Sequence, residues 1–322
     1  MQNIFIFGYK GQDGFLLKTK LEKSGLDIKF FLLAKDSLKV IYKENVIQEL
    51  KICDQLDYLN IISKLFSENK PDTIFYLAAV HLSSTENEND ANSHKMFFTN
   101  FALTSFILNK CLILGIKPKF IYASSSLVFS GSMTSPQNEL TLREPQCNYS
   151  KQKVLSEDLL LQIGDKYNIP VLVPIFYNHE SVLRKEKFFT KKVISFCSKF
   201  AKDTNSKKIK TMNLFNPDSV IDMGYAPEYI DLLLELVNTN KVGSFIFSSG
   251  NPITVKEFVE NVTEFYGISQ DIIRFSFMRS RFKANLIGDN KKLLNAIGKK
   301  PLIHSKELTQ KLCNDYEAYV NK

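Results

Sequence analysis

Tyr149 and Lys153 stand four residues apart in the stretch NYSKQK, so one helical turn brings a phenol and an ammonium to the same face. An ammonium beside a phenol favours the phenolate. The tyrosine can then exchange a proton with a hydroxyl or carbonyl of a substrate. With 13 tyrosines in the chain the pair is not distinctive alone. It gains meaning from ASSSLVFSG, where Ser125 lies 24 residues before Tyr149 at the end of an apolar run. A hydroxyl at that place can hydrogen-bond the same oxygen that Tyr149 protonates.

A second pattern precedes these residues. In NIFIFGYKGQDG the glycines fall at Gly8, Gly11 and Gly14, directly after an apolar segment and before a helical one. Three glycines so close can be a plain turn. Between a strand and a helix they also allow a tight bend and close approach of backbone to a pyrophosphate, with the helix N-terminus facing the anion. The order glycine turn, strand-end serine, Tyr-x-x-x-Lys predicts dinucleotide binding coupled to proton transfer. An acidic residue about 20 positions on would hold the ribose hydroxyl of NAD. That place falls on Leu32, Leu33 and Ala34, with Lys35 and Asp36 just beyond. NAD and NADP both remain open, the missing carboxylate tilting toward NADP.

The elements that must position these residues alternate. Apolar strands are predicted at residues 3–7, 27–33, 49–53, 72–79, 119–125 and 170–176. Helices are predicted between them at 13–25, 56–66, roughly 93–114 and from Tyr149 onward. Continuous apolar strands between helices predict an α/β, doubly wound parallel sheet covered on both faces. The last third is predicted to form a smaller mixed α/β lobe: 207–215 and 244–249 as strands, helices from Pro227, near 254–266 and at 305–320. The expected division is 1–176 and 177–322, interleaved rather than separated by a linker.

The composition is that of an ordinary globular chain: 322 residues, 44% hydrophobic, 24% charged. The net charge of +8 is spread along the sequence, which argues for a lysine-rich surface and against nucleic-acid binding, and suits an anionic small substrate. Five unpaired-looking cysteines and no histidine–cysteine cluster predict free thiols in a reducing compartment and no metal. No uninterrupted apolar run reaches the roughly 18 residues of a membrane span. A cytoplasmic protein is expected.

Several stretches resemble extended short-chain dehydrogenases/reductases, and GDP-mannose 4,6-dehydratases in particular. They are GYKGQDG (8–14), YLAA (76–79), PQNELTLREPQCNYSKQK (136–153), FYNHESVLRKEKFFTKK (176–192) and GDNKKLLNAIGKKP (288–301). The resemblance implies a Rossmann domain followed by a nucleotide-sugar lobe. It implies Ser125, Tyr149 and Lys153 as the catalytic set. Around the dinucleotide it places Gly8, Gly11, Gln12, Asp13, Gly14, Asp54, Leu77, Ala78, Ala79, Ser124, His179 and Arg184, together with Tyr149 and Lys153. Around the nucleotide sugar it places Ser126, Asn178, Glu186, Phe189, Lys192 and Arg279. It also implies a homodimer through the helices near 93–114 and 149–166.

The chain departs from that family at three places. The glutamate two positions after the catalytic threonine, which serves elimination across C5 and C6, is here Leu127. The paired arginines after the second strand fall on Leu33 and Ala34, and the arginine of the family's RDWGHA stretch falls on Ile221. The set that remains supports hydride chemistry at a sugar carbon: a reductase, or an epimerase acting through a transient ketone. A 4,6-dehydratase with another acid and a non-catalytic nucleotide-binding protein stand as alternatives.

Overall fold

A computed structural model describes residues 1–81, 90–202, 211–277, 285–298 and 303–321. In chain order the elements are β1 (Gln2–Phe7), α1 (Gln12–Glu22), β2 (Ile28–Leu33), β3 (Ser37–Tyr42), β4 (Asn45–Lys51), α2 (Gln55–Glu68), β5 (Thr73–Tyr76) and α3 (Asp90–Phe97). Next come α4 (Leu103–Ile113), β6 (Lys119–Tyr122), β7 (Ser124–Ser125), α5 (Asn148–Tyr167), β8 (Val171–Phe176), β9 (Asn178–Glu180) and α6 (Phe189–Lys202). Then follow β10 (Met212–Phe215), β11 (Val220–Ile221), β12 (Met223–Tyr225), α7 (Ala226–Val237), β13 (Gly243–Phe247), β14 (Ile253–Thr254) and α8 (Val255–Tyr266). The last are β15 (Ile273–Ser276), α9 (Lys291–Ile297) and α10 (Ser305–Val320).

The chain divides into two compact units. The first comprises 1–128, 145–175 and 233–245; the second comprises 129–144, 176–232 and 246–322. The first is built on a sheet of order β13-β8-β6-β5-β1-β2-β3-β4, with β7 beside β8. Strands β2, β1, β5, β6 and β8 run parallel, and the order reverses at β1, which lies between β2 and β5. Such a reversal opens a crevice at the carboxyl ends of the strands, where open α/β sheets bind ligands. The predicted doubly wound sheet is therefore present. Its core is the apolar content of the strands themselves: Phe5, Phe7, Phe31, Leu33, Phe75 and Phe120 are all buried. Phe5 and Phe31 stack at 4.2 Å across β1 and β2.

Two predicted elements are corrected. Residues 49–53 were expected as one more strand of the parallel succession. Instead β3 and β4 form an antiparallel hairpin on the sheet edge. The turn between them places Lys43 and Glu44 at φ +48° and +65° without a glycine, and every residue of β4 is exposed, so neither turn chemistry nor apolar alternation marked it. The helix expected over 93–114 is broken by a π-helical turn, Phe98–Ala102, between α3 and α4. Asn92–Ile113 is nonetheless long and apolar enough, by length and mean hydropathy alone, to cross a membrane, although it is no uninterrupted apolar run. Its apolar residues Leu103, Ile107, Leu108 and Cys111 are buried.

The second unit packs α6, α8 and α10 around Val193, Cys197, Phe258, Val262, Leu308 and Leu312. Helix α8 opens with a reciprocal cap between Thr254 and Glu257 and closes on Gly267 in the left-handed region at φ +64°. Small two-stranded sheets, β9 with β12 and β11 with β14, link its loops. Part of the strand predicted over 207–215 lies outside the described residues, and Met212–Phe215 forms β10. All five cysteines are free.

Candidate active site

The glycine turn sits at the reversal point. Gly8 follows β1 with φ +89°, and a Cβ there would stand 2.7 Å from the Ala78 backbone nitrogen. The turn therefore touches the segment after β5 that carries Leu77, Ala78 and Ala79, and only a hydrogen fits at the contact. Gly14, in the first turn of α1, packs so tightly on the bend that a Cβ would lie 2.6 Å from Tyr9 Cα. Gly11 donates to the Gly8 carbonyl at 2.9 Å and, as the residue before α1, brings no side chain over the helix N-terminus. Gln12 and Asp13 begin that helix. The result is a bare bend with a helix dipole behind it, a geometry suited to a diphosphate.

At the end of β2, Leu33 and Ala34 are buried and offer no charge. The charged side chains there are Lys35, which is exposed, and the pair Lys10–Asp36 at 2.8 Å. The Lys10 ammonium holds the Asp36 carboxyl below its ordinary range. Lys10 lies in the glycine turn itself and was not singled out from the sequence. Asp54 sits elsewhere in the first unit as the exposed cap of α2, accepting the Asp57 N–H at 2.9 Å.

The residues expected to transfer the proton lie on α5 and at the end of β7. Tyr149 is in the first turn of α5 and half-buried. One turn on, the buried Lys153 donates from Nζ to the Ala123 carbonyl at 2.7 Å. That ammonium lies 5.8 Å from the centre of the Tyr149 ring and 4.6 Å from that of Tyr122. Burial brings Lys153 down from 10.5 to about 7, and the charge of Glu157 works against that fall. Ser125 ends β7, half-buried, its Oγ accepting the Leu127 N–H at 3.3 Å. Ser124 and Ser126 on either side are buried. Lys153 is thus bonded next to the strand end that carries Ser124, Ser125 and Ser126, with Tyr149 one turn before it on α5 and Leu127 in the short 3₁₀ turn that follows the strand.

Three further residues of this cluster were missed. Glu157 is buried one turn after Lys153 and accepts a hydrogen bond from the Ser124 hydroxyl. Its only sequence signal is that it continues the four-residue spacing of Tyr149 and Lys153. Asn100, at the π-helical turn, is fully buried; its side chain bonds both the N–H and the carbonyl of Val80, at 2.9 and 3.0 Å, and Gln152 at 3.2 Å. Its carbonyl, released by the turn, accepts Ser156 at 2.8 Å and Tyr122 at 3.1 Å, which anchors α5 against β6. His81 lies edge-on to Tyr149 with ring centres 4.6 Å apart.

In the second unit, His179 is buried, its Nδ1 in hydrogen-bond contact with the Tyr177 carbonyl at 2.8 Å, and its ring stacks on Tyr229. Arg184 lies over the Phe188 ring at 4.1 Å with Nε 3.6 Å from the buried Glu180 carboxylate. Asn178, Glu186 and Lys192 are exposed. Phe189 packs on Phe258 at 5.3 Å, which makes it part of this unit's core edge. Arg279 lies outside the described residues. Asp222, also missed, is buried. It accepts the N–H groups of Ser249 and Gly288 at 2.9 Å, that of Gly250 at 3.3 Å and the Ser249 hydroxyl at 2.7 Å. Burial raises its pKa, while these four donors oppose the rise.

A parallel sheet with its reversal at β1, a glycine bend there and a Ser–Tyr–Lys set beyond β6 define an extended short-chain dehydrogenase/reductase. Comparisons agree. Residues 5–312 match the family model described as GDP-mannose 4,6 dehydratase. The GDP-mannose 4,6-dehydratase of Sinorhizobium fredii is 27% identical over 278 residues, covering 82% of this chain and 76% of the relative. That of Vibrio cholerae is 26% identical over 284 residues, covering 83% and 73%. Among solved structures, RMD from Pseudomonas aeruginosa complexed with NADPH superposes with a TM-score of 0.80 at 19% identity, covering 99% of this chain and all of that one. The UDP-glucose 4-epimerase of Thermotoga maritima, with UDP-glucose, gives 0.78 at 18%, covering 99% and 100%. The chain belongs to the GDP-mannose 4,6-dehydratase family and is an enzyme of the nucleotide-sugar dehydratase and epimerase type.

Proposed function

We propose that this enzyme is an NAD(P)-dependent oxidoreductase or epimerase working at C4 of a nucleotide-activated sugar, GDP-linked by its family. The observation that carries the reading is the bond of Lys153, one turn after Tyr149, to Ala123 beside the Ser125 strand end, together with Leu127 where the family's elimination acid belongs.

The glycine cradle fits a dinucleotide: Gly8 and Gly14 tolerate no Cβ, and α1 begins without a capping side chain. Gly8, Gly11, Gln12, Asp13 and Gly14 would hold its diphosphate, with Leu77, Ala78, Ala79 and Ser124 alongside and Lys153 at the nicotinamide ribose. Two cations, Lys10 and Lys35, against the one carboxylate of Asp36 favour NADP. When bound, the nicotinamide supplies or removes the hydride at C4. Ser125 orients the C4 oxygen, and Tyr149 gives or takes its proton. Lys153 stabilises the phenolate by its charge. Leu127 offers no group to remove a proton from C5 or to protonate a departing C6 hydroxyl, so the reaction stops at the level of the C4 ketone and alcohol. The exposed Asn178, Glu186 and Lys192 are assigned to the nucleotide sugar, as are Ser126, Phe189 and Arg279, with His179 and Arg184 assigned to the dinucleotide. Exposed Phe97, Ile113 and Leu155 on α3, α4 and α5 support a homodimer through these helices. The free thiols suit the cytoplasm.

The second reading, a 4,6-dehydratase with a substitute acid, is favoured by the family match and by His81, the ionisable ring in contact with Tyr149. One assay separates the two. The first reading expects oxidation of NADPH or NADH with GDP-4-keto-6-deoxymannose, or C4 epimerisation of a GDP-sugar without net change in the coenzyme, and no elimination from GDP-mannose. The reverse pattern establishes the second.

A further inference from the structure

Helix α5 grips the strand end that carries Ser125 at two successive residues. Lys153 donates to the carbonyl of Ala123, and four residues on, Glu157 receives the hydroxyl of Ser124. Lys153 and Glu157 are both 1% exposed and Ser124 is 5% exposed. A buried carboxylate is costly unless its charge is used or its lone pairs are bonded. Packing alone does not call for one, since an apolar side chain would fill the same space between α5 and β7.

We propose that Glu157 is a positioning residue of the active site, fixing the Ser124–Ser125 strand end through its hydrogen bond and keeping the ammonium charge on Lys153 through its own. The inference rests on the proposed roles of Ser125 and Lys153. Among the described residues, Lys153 faces the Tyr149 ring on its own helix and the Tyr122 ring on β6, behind which Tyr76 of β5 stacks at 5.8 Å, and Glu157 follows one turn on along α5. Burial drives the Tyr76 and Tyr122 phenols up, which keeps those two neutral. Of these neighbours Glu157 is the carboxylic acid. It opposes the desolvation that lowers Lys153 to about 7. Without it, Lys153 would fall further and its support of Tyr149 would weaken.

The test needs no turnover. In the dinucleotide-free protein labelled with ¹³Cε-lysine, one lysine is expected to titrate near 7, and Lys153→Arg removes that signal. Glu157→Gln, which still accepts from Ser124 but has no charge, is expected to lower that midpoint by about one unit or more. Glu157→Asp keeps the charge and is expected to leave the midpoint within about half a unit. An unchanged midpoint in Glu157→Gln, or the same shift in both variants, overturns the proposal. Should Glu157→Gln not fold, ¹³Cδ-glutamate spectra of the wild-type protein decide. Glu157, assigned by its loss in Glu157→Asp, is expected to be ionised at pH 8, and a protonated Glu157 there overturns the proposal. Failure of the functional reading would appear only in turnover assays and leaves these titrations untouched.

Discussion

Lys153 holds its ammonium 5.8 Å from the centre of the Tyr149 ring while its hydrogen bond goes to the carbonyl of Ala123 at 2.7 Å. The lysine acts on the tyrosine by its field, and the strand end fixes where that field is applied. Replacing Tyr149 by Phe keeps the ring contacts and removes only the hydroxyl proposed to carry the proton. Turnover is expected to fall at least about 10²–10⁴-fold, the usual worth of general acid–base catalysis. Affinity for NADPH or NADH, followed by fluorescence, is expected to change little.

The same relationship sets a pH dependence. Lys153 carries its charge below its midpoint of about 7 and loses it as pH rises. The phenolate is then no longer supported, so kcat/KM for alcohol oxidation is expected to decline above that pH. Lys153→Arg keeps a charge at all accessible pH. Its profile is expected to lack this alkaline limb, at a lower maximal rate. Rate profiles between pH 5 and 10 check both statements.

Gly14→Ala places a methyl against Tyr9 Cα and the Gly8 carbonyl, backbone atoms that cannot rotate away. The helix must shift from the bend. An overpacked contact of this kind costs about 1–3 kcal/mol. Thermal unfolding should report that loss, together with a dinucleotide Kd weakened by an order of magnitude or more.

Asp222→Ala removes the common acceptor of four donors in the second unit. Leaving buried N–H groups unsatisfied costs about 1–3 kcal/mol each. A stability loss of about 3 kcal/mol or more by urea titration is expected. Asp222→Asn, which keeps one acceptor oxygen, should lose less.

Leu127→Glu restores a carboxyl where the family carries its elimination acid. Leu127 is half-buried, so the new side chain can reach solvent or substrate without an enclosed charge. The variant is expected to gain detectable 4-keto-6-deoxy product from GDP-mannose, read by anion-exchange chromatography.

What the sequence made legible was local. The bend at Gly8–Gly14, the Tyr149–Lys153 spacing and the strand-end serine each follow from a few adjacent residues, and the parallel sheet from its uninterrupted apolar strands. The hairpin β3–β4 was hidden because Lys43 and Glu44 adopt left-handed conformations that glycine or asparagine usually mark. The π-helical turn at Asn100 has no periodicity of its own; it exists because its carbonyl finds Tyr122 and Ser156, far away in the chain. Glu157 is one acid among several on its helix in the sequence, and only its burial and its contact with Ser124 set it apart. Lys10 reads as part of a turn until Asp36 is seen across from it.

The central claim is that the Ser125–Tyr149–Lys153 set works here without elimination, and incubation of the wild-type enzyme with GDP-mannose and its dinucleotide tests it most directly. The account predicts no 4-keto-6-deoxy product over the background seen with Tyr149→Phe. Formation of that product at a normal enzymatic rate contradicts it, and shows that another group does the work that Leu127 cannot.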